Sequence, residues 1–122
     1  AWVRIFAVVL TGQLGARTLM RIQSVWQLSA TDLGDLLAVS AQSATKWASE
    51  GVLPSRVEQI GELQGIAELL ERYVKPDRIA SVVRARVPEL DGQSLLTIVA
   101  AGRSADALAK TRQMFSFGDL HE

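Results

Sequence analysis

From about Ala16 to Gln27 the apolar residues Leu19, Met20, Ile22, Val25 and Trp26 recur at three and four positions, which predicts an amphipathic helix. Gly12 and Gly15 punctuate the segment before it. Ser29 stands three positions ahead of Asp32, an acidic form of the capping box, and predicts a short helix through Leu37. A tight connection at Ala38–Ser40 follows. A further helix starts at Ser40 or Ala41, reaches about Ser49 and stops at Gly51, a residue suited to a left-handed cap. Pro54 disfavours helical geometry at Leu53 and marks a boundary, after which Ser55 is placed to cap the next helix. That helix uses Val57, Ile60, Leu63, Ile66, Ala67, Leu70 and Tyr73. Pro76 and Asp77 restart the chain as a helix through about Val87, and "VPELDG" reads as a turn. "QSLLTIVAAG" is then a short helix begun by Ser94 and ended by Gly102, and Ser104 starts a last helix running to about Met114. Two-residue alternation is weak everywhere except "TIVA", so the pattern predicts an all-α fold.

The hairpin at 29–51 has an interior and an exterior. Leu33, Leu37, Val39, Ala44 and Trp47 fall where they would face inward and hold two helices at a steep angle, and small Gly34 and Ala38 allow close approach. Gln42, Ser43, Thr45, Lys46 and Ser49 fall outward. Such side chains suit a DNA major groove: glutamine pairs with adenine at two points, and lysine reaches guanine or phosphate. Ser40 leaves free backbone amides near a phosphate, and Arg56 just beyond adds a phosphate contact. The same small polar residues also describe an ordinary solvated face.

Charge tempers the DNA reading. The 122 residues carry 13 basic and 13 acidic side chains. Within 29–51 only Lys46 is basic, against Asp32, Asp35 and Glu50. Non-specific affinity depends on neutralised phosphates, so a lone copy would bind duplex DNA weakly, and a dimer would double what each copy contributes. The apolar start, with Trp2, Ile5, Phe6, Val9 and Leu10, is a candidate for pairing two copies or capping the core. It is too short for the about 20 apolar residues of a membrane span, and it lacks a signal-peptide cleavage region.

Catalytic chemistry finds little support. There is no cysteine, so there is no thiolate nucleophile or cysteine-based zinc site, and a reducing compartment is compatible with the composition. His121 is the only histidine and has no second ligand beside it. Glu68 with Glu71 and Asp32 with Asp35 are carboxylate pairs on surface-like faces. The glycines form no phosphate-binding loop or dinucleotide fingerprint. The expectation is a protein that is not an enzyme and needs neither metal nor cofactor.

The stretch "LGDLLAVSAQSATKWASEG" resembles the helix-turn-helix of Xre-type regulators, with the leucines, the small residue, the Val-Ser turn and the following tryptophan in order. "VVRARVPELDGQSLLTIVAAGRSADALAKTRQMF" resembles the toxin-binding domain of the Xre/MbcA/ParS antitoxins. Val82 and Val83 stand at that family's aromatic-leucine pair. Pro88, Leu90, Gly92, Ser94 and Leu96 match its turn and helix start, and Gly102 matches the later break. Leu95 replaces a usual proline, Arg86 replaces a turn proline, and Val82 is smaller than the usual aromatic. Together the matches cover most of residues 29–115.

The resemblance implies a helix-turn-helix DNA-binding part over 1–53 and a small helical toxin-binding part over 54–122. It implies a cytoplasmic antitoxin that occludes the active site of a RES-domain, NAD-degrading toxin and represses its own operon as a homodimer on operator DNA. Arg112, Met114, Phe115 and Phe117, in a tail that gathers apolar mass near a polar terminus, are the residues expected to touch the toxin. A stand-alone regulator with a C-terminal oligomerisation domain is the alternative. A pure interaction protein with a vestigial DNA-binding fold is a third reading.

Overall fold

The computed structural model describes the backbone of residues 2–120 and the side chains of residues 13–116. Among these the fold is all-α, with seven helices and no sheet. The helices are α1 (Trp2–Val25), α2 (Ala30–Leu37), α3 (Ala41–Glu50), α4 (Val57–Tyr73), α5 (Ile79–Arg84), α6 (Leu95–Ala100) and α7 (Ser104–Leu120). Short 3₁₀ turns at Pro54–Arg56, Pro76–Arg78 and Pro88–Leu90 begin at the three prolines, whose fixed φ suits the first position of a helical turn.

α1 is the spine. It begins at Trp2, well before the Ala16 start that the periodicity suggests, and Gly12 and Gly15 lie inside it. One glycine in a helix costs only about 1 kcal/mol, which tertiary packing offsets. At Gly15 that packing is visible, because a side chain there would meet the Val52 methyl at 3.0 Å. Leu19, Ile22 and Trp26 form the buried face. Met20, expected on that face, is 57% exposed, because one residue along a helix turns the side chain about 100° away.

The chain leaves α1 through Gln27, at φ 54°, and enters α2 through the Ser29 cap. α2 and α3 cross at Gly34, Leu33, Leu37 and Ala44, all buried. Gly51 does stop α3, but at φ 125° and ψ 158° it takes a positive-φ conformation open to glycine that is not the left-handed helical one. Ser55 makes no helix cap. It lies inside the Pro54–Arg56 turn, and α4 starts without a side-chain cap bond.

α4 buries Ile60, Leu63, Ile66, Ala67 and Leu70 as its spacing predicts, while its ends, Val57 and Tyr73, are only partly covered. It lies between α1 and α7. At Gly65 a side chain would meet the Leu108 methyls at 3.0 Å, so α7 approaches α4 closely there. α5 stops at Arg84, short of the expected Val87. Val87 is instead extended and its amide donates to the Gln93 carbonyl (3.3 Å), closing the loop around Pro88–Leu90. Ser94 accepts from the Thr97 amide (3.1 Å) and caps α6, whose Leu95, Ile98 and Val99 are buried and Leu96 half-buried. Gly102, at φ +82°, ends the turn after α6. α7 continues to Leu120, beyond the Met114 end that the pattern suggests.

A single buried cluster runs from Leu19 to Ala107 and takes residues from every helix. No helix among the described residues is long and apolar enough to cross a membrane.

Two glycine substitutions test this packing in opposite directions. At Gly34 a Cβ would lie 2.7 Å from the Val39 carbonyl oxygen, which is backbone and cannot swing aside. Gly34→Ala is therefore expected to cost about 1–3 kcal/mol in urea unfolding. Gly61, in α4, has nothing within 4 Å of that position. Gly61→Ala is expected to stabilise by about 0.5–1 kcal/mol in the same measurement.

Candidate functional site

The outward edge of the α2–α3 hairpin is the site that the sequence singles out, and its local structure is fixed by serine caps at both helix starts. The Ser29 hydroxyl accepts from the Asp32 amide (3.0 Å), and the Ser29 amide donates to the Asp32 carboxylate (3.1 Å), which completes the capping box. The Ser29 amide first, then the Ser29 hydroxyl and the Arg84 charge, hold the Asp32 carboxyl below its ordinary pKa. At the far end of α2, Ala38 takes a left-handed conformation (φ 57°), and the Val39 amide donates to the Gly34 carbonyl (2.9 Å). Chain reversal thus takes three residues, and Ser40 immediately caps α3 by accepting from the Ser43 amide (3.0 Å).

The residues expected to contact DNA divide into two groups. The Ser40 hydroxyl donates to the Ser43 hydroxyl (3.0 Å), Thr45 to the Ala41 carbonyl (2.9 Å) and Ser49 to the Thr45 carbonyl (3.1 Å). These hydroxyl protons are used inside α3, leaving oxygens that can accept. Gln42 and Lys46 are exposed, one helical turn apart on one face, with no partner among the described residues. They are the exposed side chains of α3 free to donate outward; half-buried Ser43, which accepts from Ser40, also keeps its hydroxyl proton.

Arg56 does not share that freedom. It is half-buried, and its Nη1 donates to the Leu37 carbonyl (3.1 Å) and to the Gln59 side-chain oxygen (2.9 Å). Its guanidinium lies 5.2 Å from the centre of the Trp47 ring. A positive φ at Gln27 and the end of α1 are held in a similar way by Arg84. Its guanidinium donates to the Trp26 and Gln27 carbonyls, both at 2.7 Å. Nothing local in the sequence pairs residue 84 with residues 26 and 27, so pattern alone could not find this contact.

The C-terminal candidates are spread along α7. Arg112 is exposed. Met114 and Phe115 are half-buried against the chain's own core, and the Phe115 ring stacks on Tyr73 with centroids 4.9 Å apart and planes 14° from parallel. The Phe117 side chain and His121 lie outside the described residues, as do the side chains of the apolar start. Of the carboxylate pairs, Glu71 is held by Arg21 through two bonds and Glu68 accepts from the Gln64 amide (3.2 Å). No group of three or more metal-ligating side chains occurs among the described residues.

The caps generate a prediction with a pH signature. Ser29→Ala is expected to cost about 1 kcal/mol in urea unfolding at neutral pH. Because the folded state lowers the Asp32 pKa, the contribution of this carboxylate is full above the ordinary aspartate value near pH 4. It is lost as the pH falls through the lower folded value. The stability difference between the parent and Asp32→Ala should therefore shrink on acidification below about pH 4, a trend that urea titrations at stepped pH read directly.

Compared with protein-family models, with curated proteins and with solved structures, the chain matches none of them.

Proposed function

We propose that α2, its three-residue turn and α3 form a helix-turn-helix that reads operator DNA, with α3 as the reading helix. One observation carries this: Gln42 and Lys46, uncommitted and one turn apart, project from the exposed edge of a short helix whose neighbour meets it through a tight, capped turn. In the major groove Gln42 pairs with an adenine and Lys46 reaches a guanine or phosphate. The Thr45 and Ser49 oxygens accept from base amino groups, and the α3 amides near Ser40 favour a phosphate.

The wider reading is an antitoxin of the Xre/MbcA/ParS kind, which holds a RES-domain toxin with its C-terminal helices and represses its operon as a homodimer. It rests on the resemblance of residues 82–115. The extended Val87, the positive-φ pair Asp91 and Gly92 and the Ser94 cap supply the turn and helix start which that resemblance requires. A specific observation favours the stand-alone regulator as second reading. Met114 and Phe115 are spent on the chain's own core and on Tyr73, which leaves Arg112 as the exposed one of the toxin-contact candidates among the described side chains.

Two measurements follow. On the promoter fragment of the chain's own gene, Lys46→Ala is expected to weaken binding and to reduce the slope of log K against log salt by about 1. An unchanged slope would mean that Lys46 touches no phosphate. Co-expression with a RES-domain toxin encoded beside this chain should restore growth and yield a complex. Arg112→Glu should weaken that complex at least about tenfold while leaving the fold intact. A chain that binds its promoter but neither rescues growth nor co-purifies is the stand-alone regulator.

A further inference from the structure

We propose that Arg56 is the positioning residue of α3, a clamp that sets the angle of the reading helix and not itself a phosphate contact. The proposal rests on the reading of α3 as a DNA-reading helix and adds the group that orients it.

Three helices meet at this one side chain. Leu37 is the last residue of α2, and its carbonyl is among those that a helix end leaves without an intrahelical donor. Arg56 supplies that donor (3.1 Å), and a cation at a helix C-terminus is favoured by the helix dipole. Gln59, in the first turn of α4, accepts from the same nitrogen (2.9 Å) and fixes the guanidinium in one orientation. In that orientation the guanidinium lies 5.2 Å from the centre of the Trp47 ring, midway along α3, within cation–π range. Trp47 is only half-buried, so the core does not hold it from every side. α3 also has few large side chains of its own, since its buried residues are Ala44 and Ala48. α3 packs on α1 and α2 through these small residues, and the clamp adds a polar tie from the start of α4.

The chemistry needs arginine in particular. Nη1 donates both bonds in the guanidinium plane while the charge spread over the rest of the group lies beside the indole. A lysine must make both bonds and the ring contact from a single ammonium nitrogen on a different stem. A phosphate, by contrast, accepts either residue. That difference makes Arg56→Lys the deciding variant, with Arg56→Gln beside it and Lys46→Ala as the phosphate-contact control.

Hydrogen exchange gives a test without DNA. In Arg56→Lys the amides of residues 44–49 should exchange about tenfold faster, while those of Leu63 and Leu70 stay at the parent rate. The Trp47 indole resonance should shift. With the chain's own promoter fragment against a scrambled duplex, both Arg56 variants should lose about tenfold in the ratio of the two affinities. Their salt slopes should stay at the parent value, unlike that of Lys46→Ala.

An Arg56→Lys chain with parent exchange rates and parent discrimination overturns the proposal. So does an Arg56→Gln chain whose salt slope falls by about 1 while Arg56→Lys restores it, since that marks a phosphate contact. If the parent shows no preference between the duplexes but exchange still quickens in Arg56→Lys, the clamp stands and the DNA reading falls.

Discussion

The crossing of α2 and α3 depends on the absence of a side chain at residue 34. The backbone of Val39 to Ala41 passes so close to Gly34 that a Cβ would lie within 2.7–3.0 Å of three of its atoms. That approach allows the Val39 amide to reach the Gly34 carbonyl and reverses the chain in three residues. Everything that follows in the hairpin inherits the constraint. Ser40 arrives at the start of α3 already extended and free to cap it, and Ala44 joins Leu33 and Leu37 in the buried cluster. Those contacts turn the Ala44 face of α3 inward and leave Gln42 and Lys46 on the outer edge.

Apolar burial and two arginines hold the hairpin and the end of α1 that leads into it. Trp26 is buried at the end of α1, in a cluster shared with α4, α5 and α6. Arg84 reaches from α5 to the two carbonyls that α1 leaves behind, and Arg56 does the same for the last carbonyl of α2. Helix C-termini expose carbonyls without donors, and in both places a guanidinium from a distant part of the chain supplies them. Burial fixes how far apart the helices lie. The guanidinium bonds add direction, because each needs particular carbonyls in reach.

Much of this was legible in the sequence where the cause is local. Serine caps at residues 29, 40 and 94, the turn-starting prolines and the buried spacing of α4 each depend on residues within one or two turns of one another. The departures have more than one origin. Gly12 and Gly15 read as breaks because the local cost of glycine is visible in sequence, whereas the Val52 side chain that makes Gly15 useful is 37 positions away. The position of Ser55 suggested a cap, but Pro54 begins a 3₁₀ turn first and carries Ser55 inside it. For the candidate site, pattern placed the α3 side chains outward but could not say which hydroxyls would bond back to their own helix. Nor could it foresee that the Arg56 guanidinium, beside the hairpin, has three partners inside the fold.

The charge balance also constrains how such a surface can work. The chain has no net charge, and the hairpin is acidic apart from Lys46. If the proposed DNA reading holds, few phosphates are neutralised, sequence-independent affinity is low, and discrimination must come from hydrogen bonds to base edges. Those bonds reward accurate placement far more than charge does, since a glutamine displaced by an ångström loses its pair while a lysine still feels the phosphate. On the proposed reading, a weakly charged reading helix is workable only if it is held rigidly. Gly34 fixes one end of α3, and Arg56 with Trp47 fixes its middle, which is why a half-buried arginine matters here more than another exposed one would.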